Sequence, residues 1–278
     1  MDPNLIGSAG GVKLSARHQT MDDELTDNIR QVAQRFGRSQ RVCCMTGAGV
    51  SAESGVATFR GPEGLWEGRR PEEVATPEAF ERDPQSVWRF YLHRRQALQA
   101  CQPNAGHVAL AKLEGLLPEF TLITQNVDGL HRLAGSGNVI ELHGNIWINR
   151  CSRPNPDRGQ PPCPEQRADP TAGLTEVPRC PVCGSMMRPG VVWFGESLPP
   201  EALDGAAAAA ESCQVMLVAG TSSVVHPAAG LSSLAAQHGA TVVEINPQDT
   251  PLSPLAEFRL RGPSGVILPA IVRQMGVS

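Results

Sequence analysis

Apolar residues recur along the chain with two spacings, one typical of amphipathic helices and one typical of buried strands. From Asp22, the positions Leu25, Ile29, Val32, Ala33 and Phe36 follow the helical repeat. Short apolar runs predict strands at 42–45, 121–124, 139–142, 215–219 and 241–245, and helices are predicted near 84–101, 105–116, 199–211 and 227–238. Strands that alternate with helices form a parallel sheet covered on both faces. The predicted fold class is α/β, a Rossmann-like parallel sheet covered by helices.

Two segments interrupt this alternation and set the predicted domain boundaries. Residues 1–20 contain Gly and Ser without apolar periodicity, which predicts a flexible N-terminal lead. Residues 145–190 have no long apolar run and are rich in Pro, Arg and Cys. We therefore predict a small inserted module at 145–190, carried by a larger unit made of 21–144 and 191–278.

Composition and charge narrow the classes of partner. With 41% hydrophobic and 19% charged residues in 278, the chain can bury a sizeable core. A formal net charge of -4 gives no positive field that would attract nucleic acid or an anionic membrane. No apolar stretch reaches the roughly 20 residues of a membrane span, and the first residues lack the apolar core of a secretory signal. The sequence predicts a cytoplasmic protein that binds neither nucleic acid nor membrane, and it leaves the oligomeric state open.

A glycine-containing turn follows the first predicted strand. After the run 42–45 and Thr46 come Gly47, Ala48 and Gly49, and Ser51 stands two residues further on. Glycines at a strand end let backbone N–H groups approach a pyrophosphate. An ordinary tight turn would use the same residues, and Ala52 occupies the third glycine position of G-x-G-x-x-G. The motif alone does not decide between the two interpretations.

Two further polar clusters also follow predicted strands. Gln125, Asn126 and Asp128 come after the strand at 121–124, and His143 comes after the strand at 139–142. Ligands of open α/β sheets bind beyond the carboxyl ends of the strands, so these clusters are expected to converge on one crevice. A single histidine is more often structural than catalytic. We assign that structural role to the other candidate histidines, His107, His131 and His226.

Six segments, taken in order, resemble the motifs of one family, the sirtuins, which are NAD-dependent protein-lysine deacylases. They are GAGVSAESGVATFRG at 47–61, TQNVDGLH at 124–131, ELHG at 141–144, VVWFGE at 191–196, AGTSSVVHPA at 219–228 and EINP at 244–247. The resemblance covers about residues 24–275. Nothing in the chain resembles the catalytic apparatus of a hydride-transfer dehydrogenase. A catalytically silent NAD or ADP-ribose binding module stays as the alternative from another class.

The resemblance implies an NAD site and a catalytic base. The acyl oxygen of the substrate lysine would attack the ribose carbon as nicotinamide leaves, with Asn126 beside the nicotinamide and ribose. His143 would then act as general base on a ribose hydroxyl, and the products would be free lysine, nicotinamide and 2′-O-acyl-ADP-ribose. The implied cofactor contacts are Gly47, Ala48, Gly49, Ser51, Phe59, Arg60, Gln125, Asn126, Asp128, Gly220, Thr221, Ser222, Asn246 and Ser264.

The same resemblance implies where the acyl-lysine peptide binds. The substrate tunnel and the strand edge that pairs with the peptide backbone would be formed by Val192, Trp193, Phe194 and Gly195.

The predicted helix at 84–101 indicates which acyl groups the substrate lysine would carry. Its apolar stripe, formed by Val87, Phe90, Tyr91, Leu98 and Cys101, also carries Arg94 at helical spacing. Tyr91 and Arg94 resemble the Tyr-x-x-Arg pair with which one sirtuin subgroup binds the carboxylate of succinyl, malonyl and glutaryl groups, and Ala75 resembles the small residue of its acyl pocket. The alternative is an ordinary helix with a surface arginine, in a general deacetylase.

Four cysteines in the 145–190 segment predict a zinc site. Cys180 and Cys183 have the two-residue spacer that lets both thiolates face one tetrahedral ion. Sirtuins carry a second Cys-x-x-Cys pair, but here Cys151 is followed by Pro154, which cannot ligate. We predict that Cys163 supplies the fourth thiolate to one structural zinc ion. The alternatives are a redox or buried cysteine pair and a degraded, empty site.

Overall fold

The structure is a computed structural model that describes residues 14–57, 70–153, 163–168 and 176–276. Its strands are β1 (Arg41–Thr46), β2 (Glu119–Thr124), β3 (Val139–Glu141), β4 (Gly144–Cys151), β5 (Gln166–Ala168), β6 (Met187–Val191), β7 (Val215–Ala219), β8 (Thr241–Ile245) and β9 (Phe258–Leu260). One sheet has the order β3-β2-β1-β7-β8-β9, and every neighbouring pair in it is parallel. The other sheet is antiparallel, with the order β5-β4-β6.

Helices cover both faces of the parallel sheet. They are α1 (Leu14–Arg38), α2 (Ala48–Ala52), α3 (Pro71–Val74), α4 (Pro77–Arg82), α5 (Pro84–Gln99), α6 (Ala105–Leu116), α7 (Leu130–Leu133), α8 (Pro200–Ser212), α9 (Gly230–Gln237) and α10 (Ser264–Gln274). The core on one face is formed with α1, α6 and α10, and the core on the other face with α8 and α9. This arrangement confirms the predicted fold class.

Alternate residues of the central strands enter these two cores. On β1, Val42 and Cys44 pack with α1, α6 and α10, whereas Cys43 and Met45 face α8 and α9. Successive side chains of a strand point to opposite faces, so a strand covered on both sides is apolar throughout. Both cysteines are therefore core residues, and burial raises the pKa of each thiol.

The antiparallel sheet packs on helices from an earlier part of the chain. Val74 and Trp88 from these helices share one apolar core with Ile146 and Val191 from the sheet. The segment 145–190 thus supplies the sheet of this second unit, and residues 71–99, which the sequence grouped with the larger unit, supply its helices.

Two differences from the sequence predictions have physical reasons. Helix α1 begins at Leu14, so residues 14–20 are helical although we expected an irregular lead up to residue 20. Once nucleated, a helix propagates at little cost, and it continues beyond its apolar stripe. Neither β9 nor α10 was predicted, because β9 has only three residues and α10 contains Pro269, which argues against a helix.

Other elements lie where the apolar spacing predicted them. The bounds of α6, β7 and β8 coincide with the predicted ranges, and α1 buries Ile29, Val32, Ala33 and Phe36. Within the described ranges, no helix combines the length and the apolar character needed to cross a membrane.

Candidate active site

The loops after β1 and β7 meet where the strand order of the parallel sheet reverses. The backbone N–H of Gly47 donates to Ala219 O at 3.1 Å, and that of Gly49 donates to Gly220 O at 2.7 Å. A Cβ atom at Gly49 would lie only 2.7 Å from Gly220 O. Glycine is therefore required here, because any side chain would push the two loops apart. The open crevice of a doubly wound fold lies at this point.

The residues that follow β2 form a buried polar cluster beside this turn. Ser51 Oγ donates to Asp128 Oδ2 at 2.8 Å. Asn126 Nδ2 donates to Gly47 O at 3.0 Å and to Ser51 Oγ at 3.1 Å. All three side chains are buried, so hydrogen bonds rather than solvent fix their orientation. The structure thus brings together a carboxylate, a carboxamide and a hydroxyl at the carboxyl end of the sheet.

Two histidines lie behind this cluster. His107 Nε2 is 3.3 Å from Ser51 Oγ, and His131 Nε2 is 2.9 Å from Thr46 Oγ1. Because the Ser51 proton points to Asp128, the Nε2 atom of His107 has to be the donor. Burial lowers the pKa of His107. Burial also lowers the pKa of His131 to about 3, because a second protonated ring beside His107 would be repelled as well as desolvated. Both rings are neutral and support the cluster, in keeping with the structural role assigned to them.

The opposite wall of the crevice comes from the loops after β7 and β8. Gln125 Nε2 donates to Thr221 Oγ1 at 3.1 Å, and Asn246 Nδ2 donates to Thr221 O at 2.7 Å. Ser222 follows directly and is half-buried. Ser264 begins α10, and its hydroxyl lies 3.4 Å from Glu53 Oε1, so the two walls also meet at this end.

His143 lies at the carboxyl end of the same sheet with one ring nitrogen engaged. Its Nδ1 is 2.9 Å from Gln125 O. A carbonyl oxygen can only accept, so Nδ1 carries the proton and Nε2 keeps a free lone pair. Burial lowers the pKa of His143, and this hydrogen bond opposes the effect only in part. At neutral pH the ring is uncharged and oriented to accept a proton at Nε2.

The segment after β6 runs from His143 to the helices of the second unit. The backbone N–H of Val192 donates to His143 O at 2.8 Å, and that of Phe194 donates to Ala75 O at 2.9 Å. Phe194 is 52% exposed, whereas Ala75 and Trp193 are buried. Gly195 has a φ of 84°, a left-handed conformation that turns the chain away. These residues link the histidine directly to the wall formed by α3–α5.

Helix α5 places Tyr91 at the end of this segment. Tyr91 is only 2% exposed, and its phenol oxygen accepts a hydrogen bond from Trp193 Nε1 at 2.9 Å. Burial raises the pKa of Tyr91 to about 12, although the positive charge of Arg94 opposes this rise. The two residues are one helical turn apart, and the charge of Arg94 acts on the phenol.

The arginine that the apolar stripe of α5 buries is Arg95, not Arg94, which corrects the sequence interpretation. Arg95 is 2% exposed, donating from Nε to Ile146 O at 2.7 Å and from Nη2 to Asn149 Oδ1 at 2.6 Å. Arg94 is half-buried, with its guanidinium 5.8 Å from the Phe90 ring centroid. These acceptors on β4 are what allow a guanidinium to be buried at position 95.

The sequence did not reveal the role of two charged residues that lie next to the segment 192–195. Arg188 on β6 is 5% exposed and forms an ion pair with Glu196. Glu196 ends the motif at 191–196, so its position was visible in the sequence, but no spacing pattern indicated its partner. Phe59, Arg60 and Pro154, named above, lie outside the described residues.

The four cysteines of the small module come together. The Sγ atoms of Cys151, Cys163, Cys180 and Cys183 all lie within 4.8 Å of one another. Two of the separations are 3.4 Å (Cys151 to Cys183) and 3.7 Å (Cys163 to Cys180). A tetrahedral zinc ion with Zn–S bonds of about 2.3 Å keeps its sulfur ligands about 3.8 Å apart. The donor set and its spacing therefore fit one structural zinc ion, with Cys163 in the fourth position.

Purified protein is expected to contain about one zinc ion per chain, and Cys180→Ser is expected to lower the melting temperature. Zinc ligation contributes directly to the folding free energy of such a module. Each kcal/mol lost corresponds to about 2–4 °C for a protein of this size. Metal analysis and thermal unfolding test both points, with Cys101→Ser as control because Cys101 lies outside the cluster. Metal-free protein, prepared without chelator, would contradict the assignment.

Comparison with known proteins identifies relatives over most of the chain. The Sir2 family profile matches residues 47–227. "NAD-dependent protein deacylase 1" of Archaeoglobus fulgidus is 46% identical over 255 residues, which is 92% of this chain and 98% of the relative. "NAD-dependent protein deacylase" of Aquifex aeolicus is 50% identical over 221 residues, 79% of this chain and 89% of the relative.

Solved structures agree in fold. A crystal structure of a Sir2 homolog–NAD complex superposes with a TM-score of 0.80 at 45% identity and covers 92% of this chain and 94% of its own. Sir2Af2 bound to a myristoylated histone peptide superposes with a TM-score of 0.69 at 34% identity, with coverage of 90% and 96%. The similarity therefore extends over both units of the molecule.

Proposed function

Because the chain belongs to the Sir2 family, we propose that it is an NAD-dependent protein-lysine deacylase. The observation that carries this proposal is the orientation of His143. Its Nδ1 atom is held by Gln125 O, and its Nε2 atom is free to take a proton at the crevice where the strand order reverses. The relatives named as NAD-dependent deacylases support the same activity.

Both the backbone and the polar side chains that line the crevice are suited to binding NAD. The glycines at 49 and 220 let the two loops approach closely, and glycine backbone at a strand end lets N–H groups approach a pyrophosphate. The residues proposed to hold the dinucleotide are Gly47, Ala48, Gly49, Ser51, Gln125, Asn126, Asp128, Gly220, Thr221, Ser222, Asn246 and Ser264, with Phe59 and Arg60 from the neighbouring loop. When bound, NAD supplies the ribose carbon that accepts the acyl oxygen and the nicotinamide that leaves.

The chain contributes orientation and proton transfer to this reaction. Asn126 and Asp128 are held by Ser51, so they present fixed polar groups to the nicotinamide and ribose. His143 accepts the proton of a ribose hydroxyl at Nε2, and its lowered pKa keeps it unprotonated before the transfer. The backbone of residues 192–195 pairs with the substrate peptide, which brings the acyl-lysine towards His143.

We further propose a preference for succinyl, malonyl and glutaryl groups. Val192 and Trp193 connect His143 with Tyr91, so an acyl chain that reaches along this segment ends near the phenol and the Arg94 charge. A guanidinium binds a carboxylate through two parallel hydrogen bonds, and a phenol can donate a third. Ala75, small and buried, leaves room for a longer acyl group. General deacetylation is the second candidate.

The proposal also covers the role of the zinc ion, the binding partners, the compartment and the unit boundaries. The zinc ion stabilises the small module and takes no part in the chemistry. The partners are acyl-lysine proteins and peptides rather than nucleic acid or membranes, and the compartment is the cytoplasm. We propose a larger unit of 21–144 and 191–278 that carries the small module at 145–190, with residues 71–99 packed on that module.

The deciding experiment measures nicotinamide release from one peptide prepared with acetyl-, succinyl-, malonyl- and glutaryl-lysine. We expect release to depend on NAD and to be faster, as kcat/KM, with the acidic acyl groups than with acetyl. Faster turnover of the acetyl peptide would favour the general deacetylase. Tight NAD binding without nicotinamide release from any peptide would overturn the deacylase proposal.

A further inference from the structure

A continuous path of contacts leads from Glu196 to Tyr91. Glu196 Oε2 accepts from the backbone N–H of Trp193 at 2.8 Å and from Arg188 Nη2 at 2.9 Å. The Arg188 guanidinium lies over the indole ring of Trp193, with Cζ 3.2 Å from the ring centroid. The indole Nε1–H then donates to the Tyr91 phenol oxygen at 2.9 Å. The carboxylate thus fixes the backbone of Trp193, and the guanidinium fixes its ring.

The ion pair at the start of this path stays charged despite its burial. Burial lowers the pKa of Arg188, and the hydrogen bond to Glu196 opposes this effect only in part, so the guanidinium still carries its charge at neutral pH. Burial raises the pKa of Glu196, but the hydrogen bond and charge of Arg188 outweigh this, so the pKa lies below its usual range. A buried ion pair adds little net stability, because desolvation offsets the attraction. Its main effect here is to hold Trp193 in one orientation.

The orientation of Trp193 determines the direction of the Tyr91 hydroxyl. An indole N–H can only donate, so the phenol oxygen accepts from Trp193, and its own proton points elsewhere. We propose that Arg188 and Glu196 are positioning residues that act through Trp193 to hold the Tyr91 hydroxyl as a donor towards the acyl carboxylate. This inference rests on the proposed acidic-acyl preference and extends it beyond the Tyr91 and Arg94 pair.

The hydrogen bond to Tyr91 can be observed directly, because Tyr91 is the one tyrosine of the chain. Protein labelled with ¹³Cζ-tyrosine gives a single resonance that reports on the phenol oxygen. Arg188→Met and Trp193→Phe are both expected to shift this resonance. The matched control is Arg150→Met, because Arg150 Nη2 binds the same Glu196 Oε2 at 3.0 Å while the described guanidinium contact on the Trp193 ring comes from Arg188.

The same variants are then compared in turnover of succinyl-lysine and acetyl-lysine forms of one peptide. Misaligning one hydrogen bond to a charged group is expected to lower the desuccinylation-to-deacetylation ratio of kcat/KM by about 10-fold or more. We expect most of the loss as a higher KM for the succinyl peptide. Arg150→Met should keep the parent ratio. Should Arg188→Met fail to fold, Trp193→Phe still removes the indole donor.

The outcomes separate this inference from the function on which it rests. Failure of the acidic-acyl preference appears in the parent protein, as equal or faster turnover of the acetyl peptide. Failure of the positioning role appears in the variants. An unchanged tyrosine resonance, or equal loss of both activities in Arg188→Met and Trp193→Phe, would overturn it. A shifted resonance together with a lowered ratio, both absent in Arg150→Met, would support it.

Discussion

Replacement of His143 by alanine is expected to lower deacylation by about 10²–10⁴-fold, the loss typical of a missing general base. His143 Nδ1 is bound to Gln125 O, so the proton from the ribose hydroxyl has to be accepted at Nε2. The cluster of Ser51, Asn126 and Asp128 does not depend on this ring, so NAD binding is expected to persist.

Steady-state nicotinamide release and calorimetric NAD titration measure the two parts of this prediction. The matched control is His238→Ala, because His238 is exposed and its Nδ1 contacts Leu234 O, within its own helical region. That variant should keep full activity. Deacylation retained by His143→Ala would remove His143 from the base role, and loss of NAD binding would reassign it to the cofactor site.

The pH dependence of the parent protein provides a second measurement. A histidine acts as a base only in its neutral form. Because burial lowers the pKa of His143 below 6.5, the ring is neutral at pH 7. We therefore expect kcat/KM to decline only below pH 6.5, and to rise to a plateau as the pH increases through the lowered pKa. The His143→Ala variant should lose this acidic limb.

The crevice could be predicted from the sequence because its residues follow strands that the apolar pattern reveals. Gly47, Asn126 and His143 each stand within two residues of the end of an apolar run, and the carboxyl ends of parallel strands meet at one edge. The contacts between their side chains, such as Ser51 with Asp128, are not encoded by any spacing. They depend on how neighbouring loops pack, which only the folded chain determines.

In helix α5, the apolar spacing could not distinguish between two adjacent residues. Residues 94 and 95 differ by about 100° around a helix, and an apolar stripe is about that wide. Spacing alone therefore could not tell which arginine is buried. The choice of Arg95 depends on the acceptors Ile146 O and Asn149 Oδ1 on a strand some fifty residues away. The Arg188 and Glu196 pair was missed for the same reason, since its role depends on Trp193 and Tyr91 together.

The preference for acidic acyl groups is expected to fall when either Tyr91 or Arg94 is changed. Removing one charged partner from a desolvated pair costs about 2–5 kcal/mol. This corresponds to roughly 30-fold to several thousand-fold in kcat/KM. Arg94 is half-buried, so Arg94→Met should lie near the lower end of this range. Tyr91→Phe removes one neutral donor and should have a smaller effect.

The measurement is the ratio of desuccinylation to deacetylation, because an acetyl group has no carboxylate to lose. We expect the ratio to fall in Arg94→Met and in Tyr91→Phe, relative to the parent. Arg89→Met is the matched control, since Arg89 is exposed on the same helix and its loss changes the net charge equally. A fall of both activities in equal proportion would make the pair structural. The acidic-acyl assignment would then be withdrawn, while the deacylase assignment, which depends on His143, would stand.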